Sequence, residues 1–189
     1  MPLDLTAAES RSAGAMTAAV KPCGECNLCC KVLRVNAVEK PAGVWCQHLI
    51  QGAGCSIHEI KPEECSRFQC FWTVSDQLGE EWRPIRSKLV LWSNIEGRLI
   101  VDVDPSSPGA WRREPYYSQL KAWADRSRPG HLEVLVRVKG RLYVVFPEED
   151  VDLGPERPHI SVASGYLVEA GRRTPYARFV EAPPAGATA

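Results

Sequence analysis

A chain of 189 residues with 23 acidic and 23 basic side chains has the size of one domain or two small ones. Its formal net charge of zero argues against an overall attraction to nucleic acid or to an anionic membrane. No apolar run approaches the roughly 18 residues that a membrane-spanning helix needs.

Residues 1–20 are rich in Ala, Ser and Thr and predict a disordered N-terminal tail. They lack the basic start and the sustained apolar segment of a secretory signal, and they include Asp4 and Glu9. We therefore expect a cytoplasmic protein. Thiols stay reduced in that compartment, and dense cysteines there bind metal more often than they form disulfides.

All eight cysteines lie in a predicted cysteine-rich module over residues 21–73. The candidate metal ligands are Cys23, Cys26, Cys29, Cys30, Cys46, Cys55, Cys65 and Cys70. Two-residue intervals among the first three let the sulfurs turn toward one ion, because the loop between them is short. Eight thiolates can hold two four-coordinate ions, one binuclear site, or an iron–sulfur cluster with a further site. Since thiolate suits both zinc and iron, the ligand set leaves the metal open.

Cys29 and Cys30 are adjacent in the chain, and neighbouring side chains cannot easily aim at the same ion. They face opposite sides of a strand, or diverge by about 100° in a helix. We predict that the two thiols serve different metals, or that one of them bridges two. The run is not a bacterial ferredoxin motif, in which the next cysteine follows three residues later and precedes proline.

Short helices are predicted inside the module. Residues 61–65 (KPEEC) are typical of a helix start, because proline suits the first helical position and carboxylates favour the positive end of the helix dipole. This helix should end near Cys70. A second helical turn is expected over residues 27–33. It would bring Cys26, Cys29 and Cys30 to one side.

Two histidines, His48 and His58, lie close in sequence to Cys46 and Cys55. Imidazole is a good ligand for zinc or iron. Because eight thiols already satisfy two ions, we predict that both histidines are surface residues or lie outside the ligand set.

The pattern changes at about residue 84 to short apolar strands. Residues 88–92 and 98–103 predict one hairpin, and residues 132–138 and 141–146 predict a second. A helix is predicted over residues 116–126, between the two hairpins.

This order, β-β-α-β-β, predicts an α+β fold for residues 84–168, with a small antiparallel sheet packed by one helix. Residues 172–189, with a Pro/Gly/Ala-rich end, are predicted to be a mostly disordered C-terminal tail.

The other groups of charged residues are not interpreted as functional sites. Asp102 and Asp104 alternate at a strand end, and we interpret them as solvated residues and not as a catalytic pair. Basic residues near Trp82, Trp92 and Trp111 are balanced by acids, so a nucleic-acid site is not predicted. No catalytic motif is recognised. The sequence does not decide whether the protein is an enzyme, but it favours a protein without enzymatic activity.

Four segments of the module form a specific pattern. They are residues 23–30 (CGECNLCC), 45–49 (WCQHL), 54–58 (GCSIH) and 61–70 (KPEECSRFQC). In order and spacing they resemble the bacterial YkgJ-type cysteine-cluster family, whose CxxCxxCC domains are described as zinc- or iron-chelating. The resemblance covers about 50 of the 189 residues and implies metal chelation through the eight cysteines. Some members look related to flagellin lysine methylases, but no methyl-donor site is recognised in this chain.

The leading hypothesis is a metal-binding protein in which zinc or iron holds residues 21–73 together. This stretch is short of aliphatic residues, and metal coordination supplies order where a core cannot. We then expect at least six of the eight sulfurs to converge in one region. The alternative is an iron–sulfur redox or accessory protein for a protein-modification enzyme, and a thiol enzyme or a disulfide-stapled module is the third. The expected partner is a metal ion, and neither nucleic acid nor a membrane is expected.

Overall fold

A computed structural model describes residues 21–94, 96–127, 130–157 and 160–181. The predicted N-terminal tail, residues 1–20, and residues 182–189 of the predicted C-terminal tail lie outside the described residues. The helices are α1 (Cys29–Val32), α2 (Glu63–Arg67), α3 (Phe71–Val74), α4 (Pro84–Ser87) and α5 (Tyr116–Ala124). The strands are β1 (Leu49–Ile50), β2 (Gly54–Cys55), β3 (Leu89–Ser93), β4 (Leu99–Val103), β5 (Val134–Val138), β6 (Arg141–Val145), β7 (Asp150–Pro155), β8 (Ile160–Glu169) and β9 (Arg172–Glu181).

The protein has an α+β architecture whose main element is a five-stranded sheet in the order β3-β4-β5-β6-β7. Both predicted hairpins are confirmed, because β3 pairs antiparallel with β4, and β5 pairs antiparallel with β6. The prediction of a wholly antiparallel sheet is wrong, since β4 and β5 run parallel, with Leu99 opposite Val134. The connection over residues 104–133 contains α5 and is long enough to return the chain to the same end of the sheet.

One face of this sheet packs against α5 and forms the main core. Trp82 lies at its centre, with its ring centroid 5.1 Å from that of Trp123 and 4.9 Å from that of Tyr116. The buried Trp82 indole donates a hydrogen bond to Gln119 Oε1 at 2.9 Å. The indole N–H of Trp82 therefore has a hydrogen-bond partner although it lies in an apolar environment.

Two separate parts of the chain pack on the opposite face of the sheet. The β8–β9 hairpin covers one part, and the cysteine module covers another part, over β3. The hairpin side contains Ile100, Leu135, Leu142, Val144, Phe146 and Val162. The module side contains Cys26, Leu28, Val32 and Val90, and Trp92 packs against both groups. The cysteine module is thus packed on the sheet.

The β8–β9 hairpin was not predicted from the sequence. Residues 172–181, expected to belong to a mostly disordered tail, form β9 and pair with β8 along its whole length. The turn is Ala170-Gly171, and both residues have positive φ, 48° and 79°. A two-residue turn of this type suits the right-handed twist of a hairpin, and Gly171 accepts the conformation without a steric penalty.

The cysteine module has little regular structure, with short helices and the two-residue strands β1 and β2. Helix α1 lies within the predicted turn over residues 27–33. Helix α2 begins after Pro62 but ends at Arg67, three residues before the predicted end near Cys70. The chain is extended at Phe68 and turns into α3 at Phe71. None of the described helices has the length and apolarity to cross a membrane.

Candidate metal centre

Helix α1, which carries Cys29 and Cys30, is anchored to the sheet by a shielded ion pair. Lys31 Nζ lies 2.7 Å from Asp104 Oδ1, and the two side chains are only 12% and 7% exposed. Burial favours the neutral acid, but the hydrogen bonds from Lys31 and Ser106, together with the charge of Lys31, outweigh it and lower the pKa of Asp104. The position of α1 is therefore fixed relative to the end of β4.

The interpretation of Asp102 and Asp104 as solvated strand-end residues is wrong, because both are buried. Asp102 accepts a hydrogen bond from the indole of Trp92 at 2.6 Å. Burial raises the pKa of Asp102, while Arg137 at 3.7 Å opposes the rise. Both carboxylates have structural partners where the sheet meets the cysteine module.

Four cysteines, Cys23, Cys26, Cys29 and Cys70, form what we call the first thiol group. They line one small cavity of about 20 Å³ together with Trp72, Thr73, Pro84 and Val90. That volume is of the order of a single water molecule or ion. Burial raises the pKa of Cys70 to about 11, and the neighbouring thiols of Cys26 and Cys23 contribute to the rise.

A turn in the Cys23–Cys26 segment brings the ends of this loop together. The Cys26 amide N–H donates to the Cys23 carbonyl oxygen at 2.9 Å. Gly24 has a positive φ of 52°, and a Cβ there would lie 3.1 Å from Arg83 Nη2. Arg83 in turn donates to the Cys23 carbonyl oxygen at 3.3 Å. This short turn is the local structure that two-residue cysteine spacing predicts for a metal-binding loop.

The other four cysteines, Cys30, Cys46, Cys55 and Cys65, form the second thiol group. The Cys46 amide N–H donates to the Cys30 carbonyl oxygen at 3.0 Å. The β1–β2 pairing places Cys55 opposite Leu49. Burial raises the pKa of Cys65, and the thiols of Cys30, Cys46 and Cys55 raise it further because they lie close to it.

Lys40 is buried beside this second thiol group, with 4% of its surface exposed. Its ammonium donates to the carbonyl oxygens of Lys31, at 2.6 Å, and Leu33. Burial lowers the pKa of Lys40, and the nearby thiols of Cys46 and Cys30, and more weakly those of Cys29 and Cys65, oppose that shift. Lys40 therefore lies within electrostatic reach of thiols from both groups.

Cys29 and Cys30 stand at the junction of the two groups. Their side chains share a hydrogen bond, which is the largest cause of a raised pKa at Cys29 and a pKa lowered to about 7 at Cys30. Cys29 borders the first cavity, whereas Cys30 lies near Cys65. Cys30 also raises the pKa of Cys23, so the two adjacent thiols lie close to each other and to members of both groups.

The thiols do not form a closed coordination sphere. Within the described ranges, no three Cys, His, Asp or Glu side chains are gathered closely enough to hold a metal ion. The predicted convergence of at least six sulfurs in one region therefore stays a prediction. All eight cysteines are free thiols, and closing either group around an ion requires their side chains or loops to move.

The donor chemistry of both groups fits a thiophilic ion, because four thiolates are a complete ligand set for zinc or iron. The two nearby histidines have other surroundings. His58 is exposed and lies 3.7 Å from Glu59 and 3.4 Å from Lys61 Nζ. His48 is half-buried, and its ring nitrogen is 3.5 Å from Gln47 Nε2.

Two cations that the fold brings to the thiols, Lys40 and Arg83, were not predicted from the sequence. Arg83 is 60 residues from Cys23, and although Lys40 lies between Cys30 and Cys46 in the chain, no local pattern marks a lysine that will be buried. Arg83 also stacks over Trp72, 5.3 Å from its ring centroid, beside the first cavity.

Comparison with known proteins finds no matching family model, no similar curated protein and no similar solved structure. The resemblance to the YkgJ-type family therefore rests on the cysteine motifs of this chain.

Proposed function

We propose that this protein binds zinc or iron through its eight cysteines and that it is a member of the YkgJ-type cysteine-cluster family. The observation that supports metal binding is the division of the thiols into two neighbouring sets of four. One set lines a single small cavity, and in the other the thiols of Cys30, Cys46 and Cys55 lie close enough to Cys65 to raise its pKa. The proposed ligands are Cys23, Cys26, Cys29, Cys30, Cys46, Cys55, Cys65 and Cys70.

The composition of the module supports a stabilising role for the metal. Its own apolar core against the sheet contains only Cys26, Leu28, Val32 and Val90 as buried residues. Helix α2 has no buried residue. A bound ion would link α1, α2 and the loops between them, and structural zinc contributes roughly 10–16 kcal/mol of apparent binding free energy to small modules.

Elemental analysis of protein purified without oxygen tests this proposal. We expect bound zinc or iron in the unaltered protein and a lower metal content after Cys26→Ser or Cys65→Ser. Ser66→Ala is a matched control, because Ser66 is an exposed neighbour of Cys65 on the same helix. Protein that carries no metal, and takes up neither zinc nor iron when reconstituted, would disprove metal binding.

An iron–sulfur redox or accessory protein is the second candidate. The first thiol group has the four cysteines that a cluster needs, and they line one cavity. Visible absorption separates the two candidates, because zinc thiolates are colourless and iron–sulfur clusters absorb in the visible range.

A further inference from the structure

A second cavity lies outside the cysteine module, and we propose that it is a binding site for a free α-amino acid. The cavity has a volume of about 570 Å³ and opens between the β8–β9 hairpin and one end of the main sheet. Small-molecule sites in proteins have volumes of about 300–1,000 Å³. Its lining includes Arg98, Arg126, Leu132, Glu133, Val162 and Ser164. None of the eight cysteines, which all lie in the described part of the chain, lines it.

Strand β4 separates this cavity from helix α1 of the cysteine module. Arg98 directly precedes β4, and Asp104, which pairs with Lys31 of α1, directly follows it. At about 3.3 Å per residue, the two positions are roughly 20 Å apart. Glu133 precedes β5, which runs parallel to β4 with Leu99 opposite Val134, so Glu133 lies at the same end of the sheet as Arg98. Substitutions in the cavity therefore leave the thiols of α1 in place.

Arg98 forms a fixed part of the cavity wall. Its Nε donates to Glu133, its Nη1 donates to Glu96, and its Nη2 donates to the Val162 carbonyl oxygen at 2.6 Å. The Arg98 side chain is only 16% exposed. Every nitrogen of this guanidinium has a partner, and the two glutamates neutralise its charge. Arg98 therefore holds β8 against the sheet and orients Glu133.

Arg126 brings a second guanidinium to the cavity, and its charge is not neutralised in the same way. Its Nη2 donates to Ser164 Oγ at 2.7 Å and to the Ser164 carbonyl oxygen at 3.4 Å. Its guanidinium carbon lies 5.8 Å from the centroid of the Phe146 ring. These partners are neutral, and Arg126 forms no ion pair within the described residues. A carboxylate fits a guanidinium well, because two parallel N–H···O bonds can form between them.

A negative group lies one hydroxyl away from Arg126. Ser164 Oγ accepts the hydrogen bond from Arg126 and donates one to Glu133. Each oxygen of a carboxylate can accept more than one hydrogen bond, so Glu133 can accept from an ammonium while it keeps Arg98 and Ser164. An α-amino acid carries its carboxylate and its ammonium on a single carbon atom. Two opposite charges bridged by one hydroxyl match that arrangement.

The overall charge of the lining also favours a zwitterion. The two arginines are balanced by two glutamates, Glu96 and Glu133. An anion such as phosphate would leave the site with an excess of negative charge next to these glutamates, whereas a zwitterion adds no net charge.

The rest of the cavity has room for an amino-acid side chain. Leu132 and Val162 line it and are themselves 8% and 5% exposed, so they form an apolar part of its wall. Ligand sites commonly combine such apolar surface with a few polar groups that fix orientation. The polar groups here are Arg126, Ser164 and Glu133.

Isothermal titration calorimetry on the full chain, with each common free amino acid as the probe, tests the proposal. We expect at least one of them to bind at millimolar or lower concentration, and its analogues without the ammonium or without the carboxylate to bind at least about tenfold more weakly. For L-phenylalanine these analogues are phenylpropionate and phenylethylamine. Failure of every amino acid to bind, or equal binding of the analogues, would overturn the proposal. The metal content of the same sample is measured separately and bears only on the proposed function.

Arg126→Gln removes the charge assigned to the carboxylate. It should weaken binding of the amino acid by about tenfold and leave binding of the analogue without a carboxylate unchanged. Arg172→Gln is the matched control, because Arg172 is an exposed arginine at the turn of the same hairpin and does not line the cavity. Equal effects of the two substitutions would contradict the assignment of Arg126.

Glu133→Gln is the reciprocal variant, and it should weaken binding of the amino acid but not of the analogue without an ammonium. Because Glu133 also supports Arg98, thermal unfolding is measured for each variant. If a variant does not fold, amide chemical shifts of the unaltered protein still locate the bound amino acid. Shift changes should centre on β8 and on the residues that precede β4 and β5. Changes centred on the cysteine module would show that the amino acid binds there instead, and would overturn the site.

Discussion

Ion pairs in this protein show how burial changes the contribution of a charged residue to stability. Lys31 and Asp104 form a shielded pair at 2.7 Å, whereas Arg141 and Asp152 form a pair at 2.8 Å that is 47% and 41% exposed. Both carboxylates have a lowered pKa. Solvent screens the second pair far more than the first, so only the first should affect stability strongly.

We predict that Asp104→Asn lowers the free energy of unfolding by about 2 kcal/mol at pH 7. The folded-state pKa of Asp104 is below its unfolded value, so its contribution is present above the unfolded value, about 4, and is lost as pH falls through the folded pKa. The deficit of the variant should therefore shrink toward pH 3. Urea unfolding at both pH values measures it. Asp152→Asn is the control and should change stability by less than about 0.5 kcal/mol.

At the scale of elements, the last hairpin is the clearest departure from the sequence-based expectation. Strands β8 and β9 pair over ten residue positions, from Ile160 opposite Glu181 to Glu169 opposite Arg172. Val162 is buried, and Phe179 packs against the same core on the rear face of the sheet. The hairpin is therefore part of the hydrophobic structure of the protein.

A substitution in β9 distinguishes an ordered strand from a disordered tail. Phe179→Ala should lower the free energy of unfolding by about 2 kcal/mol, less than a fully buried phenylalanine would, because Phe179 is only half-buried. Leu167→Ala is the matched control on the same hairpin, since Leu167 is 54% exposed. If thermal or urea unfolding shows no difference between these variants, β9 does not pack on the sheet in solution.

At the scale of the whole molecule, one sheet carries two different coverings, an apolar one and a cysteine-rich one. Its front face and part of its rear face are covered by apolar side chains of α5 and the β8–β9 hairpin. Another part of the rear face, over β3, is covered by a module with few aliphatic residues and eight thiols. Phe71 and Trp72 belong to the main core, so the structure places the boundary between the two regions at about Cys70.

Metal removal should therefore affect the two regions unequally. We expect a chelator to abolish the amide protection of α1, the β1–β2 hairpin and α2, while β3–β6 keep theirs, because the sheet buries its own apolar side chains. Hydrogen exchange with and without chelator measures this segment by segment. Uniform loss of protection across both regions would show that the module and the sheet unfold as one cooperative unit.

The sequence by itself determined the features that depend on neighbouring residues. Short continuous apolar runs specify β3 to β6, helical spacing specifies α5, and Pro62 with the carboxylates after it specifies the start of α2. The confinement of all cysteines between Cys23 and Cys70 likewise marks the region of the candidate site, because ligand spacing is a local property of the chain.

Only the tertiary structure decided the features that depend on distant contacts. The parallel pairing of β4 with β5 depends on the path of a long connection, and β9 depends on its pairing with β8. The burial of Asp104 accompanies the packing of the module on the sheet, whereas Lys40 is held inside the module by the carbonyl oxygens of Lys31 and Leu33. Cys29 and Cys30 are equivalent in the motif, but in the fold only Cys29 lines the cavity with Trp72 and Val90, and their shared hydrogen bond shifts their pKa values in opposite directions. Local patterns carry no information about such neighbours, since the fold creates them.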